Sequence, residues 1–211
     1  FTDSIEIIFQ AKVGATAAAG YRIVEKDKAT SGDGYLNEKQ NYLLETDLYR
    51  LRLNPTTGVV ESLITKKDNK EWIDQTTRKK FNEIGGYFYQ QQRFLSSADG
   101  KNEISILANG SLEKTAEIKG KIGDHPFVQK ISLVTGQPAI DFETTIHWSK
   151  SEGVGDSYAQ KSGYKSEDFR KAFYTDTSKL CIYFPANLKN VILYKDAPFD
   201  VTEGRLANTF F

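Results

Sequence analysis

The chain has no methionine, one cysteine and two histidines among its 211 residues. A single cysteine excludes an internal disulfide, and its setting in KLCIYFP predicts that Cys181 is a small buried strand residue, which leaves the redox compartment open. Metal centres of the zinc type need several Cys or His ligands close together, so we expect no metal site in this chain. The missing methionine and the lack of a charged-then-apolar leader indicate a processed protein or an excised piece of a longer one.

The sequence also lacks an excess of charge of one sign and any long apolar run. Twenty-eight Lys and Arg balance twenty-eight Asp and Glu, and the two signs are interspersed, which predicts neither a nucleic-acid partner nor an anionic membrane partner. No apolar run approaches the roughly 18 residues of a transmembrane helix. The chain, 39% hydrophobic and 27% charged, has the composition of a globular protein, and we expect one domain over residues 1–211.

Motifs that carry catalysis are missing as well. There is no GxSxG elbow, no glycine-rich phosphate loop between a strand and a helix, and no HExxH, CxxC or calcium-loop spacing. We therefore assign no catalytic residue from a motif.

Short segments that alternate or are rich in β-formers dominate what is present, and turn formers such as NPTTG and TGQP separate them. Antiparallel strands with one apolar face each predict an all-β fold, a large antiparallel β-sandwich. A polar stretch at 26–40 predicts a loop, and residues 149–170 predict a loop insertion, which is either a binding element or a solvated excursion without a role. A helical turn is expected at 166–173. The predicted strands are 4–13, 21–26, 41–46, 47–54, 59–67, 86–94, 102–109, 112–122, 127–134, 139–148, 179–185 and 190–195.

The segment DFETTIHWSK raises the question of an active site. Its alternation directs Phe142, Ile146 and Trp148 to one face and Asp141, Glu143 and His147 to the other. Two carboxylates two residues apart on a strand are roughly 7 Å apart, which suits glycoside hydrolysis, but the same pattern is typical of a solvated sheet face, which we favour. A sugar epimerase that pairs His147 with Glu143 or Glu117 stays open.

The aromatic segment GYFYQQQRF offers a second candidate site. Tyr87 and Tyr89 could stack on the faces of sugar rings, and core tyrosines with bonded hydroxyls are the simpler interpretation. His125 lies in GDHPF before a strand, and we expect it to be exposed in a turn. The candidate carbohydrate contacts are Tyr87, Tyr89, Glu143 and His147.

Several stretches, in this order and spacing, resemble the C-terminal β domain of glycoside hydrolase family 38 α-mannosidases. The two most informative are YLLETDLYRLRLNPTTGVVESLITKKDNKEWID (42–74) and IKGKIGDHPFVQKISLVTGQPAIDFETTIHWSK (118–150), and weaker similarity extends the resemblance over residues 4–211. Two features depart from the family pattern, Thr46 in place of the usual Asn and the longer insertion at 149–170, and they leave room for a divergent glycoside hydrolase.

The resemblance implies a sandwich of the galactose-mutarotase-like super-sandwich type that is non-catalytic. It would pack on an upstream catalytic domain, which would carry the zinc, and would help to shape a cleft for a mannoside or related glycan. No cofactor is expected in this chain. The alternatives are an autonomous mutarotase-like sugar epimerase and a carbohydrate-binding surface module. The compartment stays open, with a secreted or periplasmic location favoured over the cytoplasm.

Overall fold

The computed structural model describes residues 7, 9–22, 42–155, 179–197 and 200–204, and every regular element among them is a β-strand. None of these residues forms a helix long and apolar enough to cross a membrane. The strands are β1 (Leu43–Glu45), β2 (Tyr49–Leu53), β3 (Val60–Thr65), β4 (Lys70–Glu71), β5 (Glu83–Phe88), β6 (Arg93–Ser96), β7 (Glu103–Asn109), β8 (Glu113–Ile122), β9 (His125–Val134), β10 (Ile140–Ile146), β11 (Cys181–Tyr183), β12 (Leu193–Ala197) and β13 (Asp200–Gly204).

Antiparallel pairing joins these strands into two sheets of four strands and two smaller ones. The first sheet has the order β1-β2-β3-β4 and the second the order β10-β9-β8-β7. A third sheet has the order β11-β5-β6, and β12 pairs with β13. Consecutive strands are neighbours in both large sheets, as short turns between antiparallel strands require.

The turn between β2 and β3 shows how local sequence sets this topology. The Asn54 side-chain oxygen accepts hydrogen bonds from the backbone N–H groups of Thr56 and Thr57, at 2.9 and 2.8 Å. Gly58 then adopts a φ of +73°, and a Cβ there would overlap the side chain of Ile118. Only glycine fits that position at low cost.

The core joins residues of the first, second and third sheets, and this all-β architecture confirms the predicted sandwich. Alternate residues of each strand point inward, as a period of two requires. Leu51 and Leu53 of β2 meet Ile118 and Ile122 of β8 in one buried cluster. The remaining buried members are Leu44, Val60, Leu63, Ile73, Phe81, Ile84, Phe88, Leu95, Ala116, Phe127, Ile131 and Leu133.

A buried amide pair joins the layers at the centre of the core. Asn82 Nδ2 donates to Gln129 Oε1 at 3.3 Å, and Gln129 Nε2 donates to the Asn82 carbonyl at 3.0 Å. Asn82 Oδ1 also accepts the backbone N–H of Val60 at 2.6 Å. Each amide thus finds partners, as buried polar groups require.

Three strand predictions differ from the structure. The segment predicted as one strand at 86–94 is the end of β5, a turn and the start of β6, with Gln92 at a φ of 53°. Of the strands predicted at 4–13 and 21–26, the described part at 9–13 and 21–22 is not strand. Alternation alone does not make a strand, because its backbone needs a neighbour for the hydrogen bonds.

Other predictions shift or fall outside the described residues. Cys181 lies in β11, as expected, but is half-buried rather than buried. The short strand β4 and the strand β13 were not predicted. Within the predicted insertion, residues 149–155 are described and contain only an isolated bridge, from Val154 to Phe88. The rest of that insertion, the helical turn at 166–173 and the loop at 26–40 lie outside the described residues.

Candidate functional site

Strand β10 places its two faces as the alternation predicts. Phe142 and Ile146 are partly buried and pack on the core, whereas Asp141, Glu143 and His147 are exposed. The prediction for Trp148 is wrong, because 48% of this residue is exposed. Strand β10 ends at Ile146, and the Trp148 ring lies at the sheet end, 4.6 Å from the His125 ring and 6.3 Å from the Phe88 ring between centroids.

The outer face of the second sheet brings the predicted polar residues together. Lys130 of β9 is in register with Glu143 of β10 on one side and with Glu117 of β8 on the other. A depression of about 190 Å³ opens over this row. Its lining residues are Glu117, Val128, Lys130, Glu143, Thr145 and His147.

The spacing of the titratable groups limits what this outer face can do. Glu143 and His147 are four residues apart along one strand, which separates their backbones by about 13 Å. Glu117 and Glu143 are two strand spacings apart, about 10 Å. The Glu117 carboxylate is only 12% exposed and pairs with Lys119. This arrangement can hydrogen-bond a polar ligand, but it does not enclose an acid and a base around one reacting atom.

The His, Cys and acidic residues in the described part of the chain do not gather into a metal-binding set. Among the described residues, no three His, Cys, Asp or Glu side chains lie close enough to hold an ion. His125 is hydrogen-bonded through its ring nitrogens, and His147 stands on the exposed face, so the two histidines do not converge. These residues do not fit a zinc ion, and the zinc that the family resemblance implies would lie in the upstream catalytic domain.

The candidate tyrosines belong to a different sheet from Glu143 and His147. Tyr87 is half-buried in β5, and its ring meets the exposed ring of Phe94 edge-on at 5.7 Å between centroids. Tyr89 is half-buried in the turn after β5, where its N–H donates to the Gly153 carbonyl at 2.9 Å. The four predicted contacts therefore form two separate groups, and neither tyrosine lines the depression over β8–β10.

The expectation for His125 is wrong, since the residue is fully buried as the first residue of β9. Its Nε2 lies 2.8 Å from Glu152 Oε2, and its Nδ1 accepts the backbone N–H of Ser149 at 3.2 Å. Its ring stacks on that of Phe88, 5.8 Å away. The inward alternation of β9 starts at His125 rather than at Phe127, and extending the pattern back across Pro126 would have revealed this.

Glu152, which sequence reasoning missed, holds residues 149–155 against the sandwich. Its side chain is 2% exposed, and Gln91 Nε2 donates to its Oε1 at 2.8 Å. The pKa of the Glu152 carboxyl is lowered, first by the Gln91 hydrogen bond and then by His125 and Lys150, while burial acts in the opposite direction. No local sequence pattern marks this residue, because its partners come from other parts of the chain.

Comparison with known proteins adds a family to this geometry. A family model described as "Glycosyl hydrolases family 38 C-terminal domain" matches residues 44–206, well over half of the chain. The match contains both β10 and the predicted insertion. No curated protein matches the chain.

Proposed function

Because the chain belongs to the glycosyl hydrolases family 38 C-terminal domain family, we propose that it is a non-catalytic β-sandwich domain of a longer α-mannosidase-like enzyme. It packs on a retaining, zinc-dependent catalytic domain and helps to shape the cleft for a mannoside or related glycan. The family match over residues 44–206 carries this proposal, and it also confirms the resemblance found in the sequence. Zinc and the catalytic residues belong to the catalytic domain.

Exposed apolar side chains support docking to another domain. They are concentrated in β11 and the segment that follows it, at Ile182, Phe184, Leu188, Val191 and Ile192. Within the described part of the chain, strand β11 is also an edge of the third sheet, which leaves one side of it open to pairing. Large exposed apolar side chains in one region are typical of interaction surfaces. We propose that the catalytic domain covers this segment.

The test compares the longer protein with the 211-residue chain. We expect the longer protein to hydrolyse an aryl α-mannoside and the 211-residue chain to release nothing. In the longer protein, Ile192→Asp should weaken domain packing by about 2 kcal/mol or more, the value of one buried aliphatic side chain. That loss should appear as earlier thermal unfolding and faster proteolysis between the domains.

Lys189→Asp is the matched control, since it changes an exposed neighbour that is already polar. We expect it to leave unfolding and proteolysis as they are in the wild type. Hydrolysis of the mannoside by the 211-residue chain alone would refute the non-catalytic role. Equal behaviour of the Ile192→Asp and Lys189→Asp proteins would refute the docking surface.

A mutarotase-like epimerase is the second candidate, because Glu117, Glu143 and His147 line one depression. The separation of about 13 Å between Glu143 and His147 along β10 argues against it. Under this function the 211-residue chain would accelerate the interconversion of sugar anomers, and His147→Ala would abolish that acceleration. Optical rotation of a freshly dissolved aldose measures the rate. A rate equal to that of buffer alone removes the candidate.

A carbohydrate-binding module is the third candidate, and the Tyr87–Phe94 ring pair at the surface favours it. Here the isolated chain would bind mannosides, and Phe94→Ala would weaken that binding while leaving the fold intact. Calorimetric titration with a mannoside measures the affinity.

A further inference from the structure

A polar cleft of about 540 Å³ lies on the outer side of the first sheet, away from the depression over β8–β10. Strands β2, β3 and β4 form one side, and residues 73–81 form the other. This volume falls within the roughly 300–1,000 Å³ that is typical of small-molecule sites. The residues that matter for recognition are Arg52, Asn54, Glu61, Gln75 and Phe81.

Hydrogen bonds within the protein fix the polar wall of this cleft. Asn54 Nδ2 donates to Glu61 Oε1 at 2.7 Å, and Gln75 Nε2 donates to the Glu61 carbonyl at 2.7 Å. Glu71 accepts the backbone N–H groups of Leu63 and Ile73 at 2.9 and 3.0 Å. Side chains held in this way present their remaining lone pairs and N–H groups in fixed directions, which lowers the entropy lost when a ligand binds.

Other polar groups on the lining have no hydrogen-bond partner among the described residues. The Thr57 hydroxyl is buried and is the one buried side-chain oxygen or nitrogen without a hydrogen-bond partner among the described residues. This hydroxyl has no exposed surface, so its desolvation cost stays within the fold and it is not open to a ligand. The Lys80 ammonium and the second carboxylate oxygen of Asp74 also have no partner among those residues, and Gln75 Oε1 remains free to accept.

The lining chemistry selects the class of ligand. Three cations (Arg52, Lys79, Lys80) balance three carboxylates (Glu61, Glu71, Asp74), so the cleft has no net preference for an anion or a cation. Donors and acceptors are interspersed, and each hydroxyl of a sugar is both a donor and an acceptor. Phe81, together with Val59, Val60 and Ile73, supplies an apolar floor for the carbon face of a ring.

We propose that the cleft between β2–β4 and residues 73–81 binds a neutral saccharide, a mono- or disaccharide, through Asn54, Gln75 and Arg52. The site goes beyond the domain-docking role and does not depend on it, because it uses neither the exposed segment after β11 nor any residue of a catalytic domain.

The experiment is a titration of the isotope-labelled 211-residue chain followed by amide NMR. The probes are methyl α-mannoside, methyl β-glucoside, N-acetylglucosamine and inorganic phosphate. We expect at least one saccharide to bind with millimolar affinity and to shift the amides of Thr57, Gln75 and Phe81. Gln75→Ala and Arg52→Ala should each weaken binding about fivefold, the loss expected for one hydrogen bond.

Ser111→Ala is the matched control, since Ser111 is an exposed hydroxyl residue between β7 and β8 that lines neither the cleft nor the depression over β8–β10. It should leave the affinity unchanged. The amide spectrum of each variant reports whether it is folded, and both cleft substitutions change exposed side chains. The proposal is overturned if no saccharide shifts the cleft amides, if phosphate alone shifts them, or if binding survives both cleft substitutions. Mannoside hydrolysis by the longer protein tests the domain role separately.

Discussion

Replacing Asn82 tests whether the buried amides hold the two layers together. Asn82 has a φ of 61°, in the left-handed region, and its side chain is bonded to Val60, Gly58 and Gln129. The variant Asn82→Ala removes the side-chain bonds and keeps the unfavourable backbone conformation. The variant Asn82→Gly removes the same bonds but tolerates that conformation.

The expected loss of stability in Asn82→Ala has two contributions. Without the Asn82 amide, Gln129 Oε1 is buried with no donor among the described residues, which costs about 1–3 kcal/mol. An alanine in the left-handed region adds about 1 kcal/mol. We therefore expect Asn82→Ala to lower the free energy of unfolding by about 2–4 kcal/mol, and Asn82→Gly by about 1 kcal/mol less.

Urea unfolding of the purified chain at 25 °C, followed by tryptophan fluorescence, measures both variants. Asn69→Ala is the matched control, because Asn69 has a φ of 51° in the exposed turn between β3 and β4. The Asn69→Ala variant should lose only the contribution of the left-handed backbone conformation, about 1 kcal/mol. If Asn82→Ala and Asn69→Ala lose the same stability, the buried amide pair contributes nothing and the reasoning is wrong.

Two further predictions concern a close backbone approach and a buried carboxylate. A Cβ on Gly120 would overlap Asn102 Oδ1, so Gly120→Ala should displace this buried amide and lower the free energy of unfolding by about 2–4 kcal/mol in urea, from overpacking and lost hydrogen bonds. The fold lowers the pKa of Glu152, chiefly through the Gln91 hydrogen bond. The ionised carboxylate therefore stabilises the fold at pH values above its ordinary pKa of 4.5, and this contribution is lost as the pH falls through the lowered pKa. The Tm difference between wild type and Glu152→Gln should thus be large near about pH 7 and shrink towards about pH 3.

Each of these two predictions has a control variant at another position of the same chain. Gly100→Ala places a Cβ in open space and should change stability by less than about 0.5 kcal/mol. Glu143→Gln removes an exposed carboxylate that has no hydrogen bond or ion pair within the described residues, and it should leave Tm near the wild-type value at both pH values. A Tm difference for Glu152→Gln that grows as the pH falls would have the wrong sign and would contradict a lowered pKa.

Local pattern was enough to predict the faces of β10, because the side-chain period of a strand is fixed by its backbone. Phe142 and Glu143 lie on the expected sides for that reason alone. The turn that divides 86–94 gave no such signal. This turn contains neither glycine nor proline. Gln92 takes the left-handed conformation, which in turns is favoured mainly by Gly and Asn.

The environment of His125 depends on partners that are distant in sequence. Glu152 lies 27 residues after His125 in the sequence, and Phe88 belongs to another sheet. No short window of sequence therefore contains His125 together with these partners. The motif GDHPF is typical of a turn, and the turn does exist, but it ends one residue earlier, at Asp124. The alternation of β9, extended back across Pro126, would place this histidine on the inner face, whereas its partners Glu152 and Phe88 are set by tertiary packing.

The buried amides of the core also shape the proposed saccharide cleft. Asn102 Nδ2 donates to the Thr57 carbonyl at 2.7 Å, and Asn82 Nδ2 donates to the Gly58 carbonyl at 3.3 Å. The turn from Asn54 to Gly58, which forms one wall of the cleft, is thus bonded from behind by side chains of two other segments. A site whose supporting groups are themselves fixed holds its contacts in place before the ligand arrives. Gly120→Ala, which acts on Asn102 from the opposite strand, should therefore weaken saccharide binding even though Gly120 does not line the cleft.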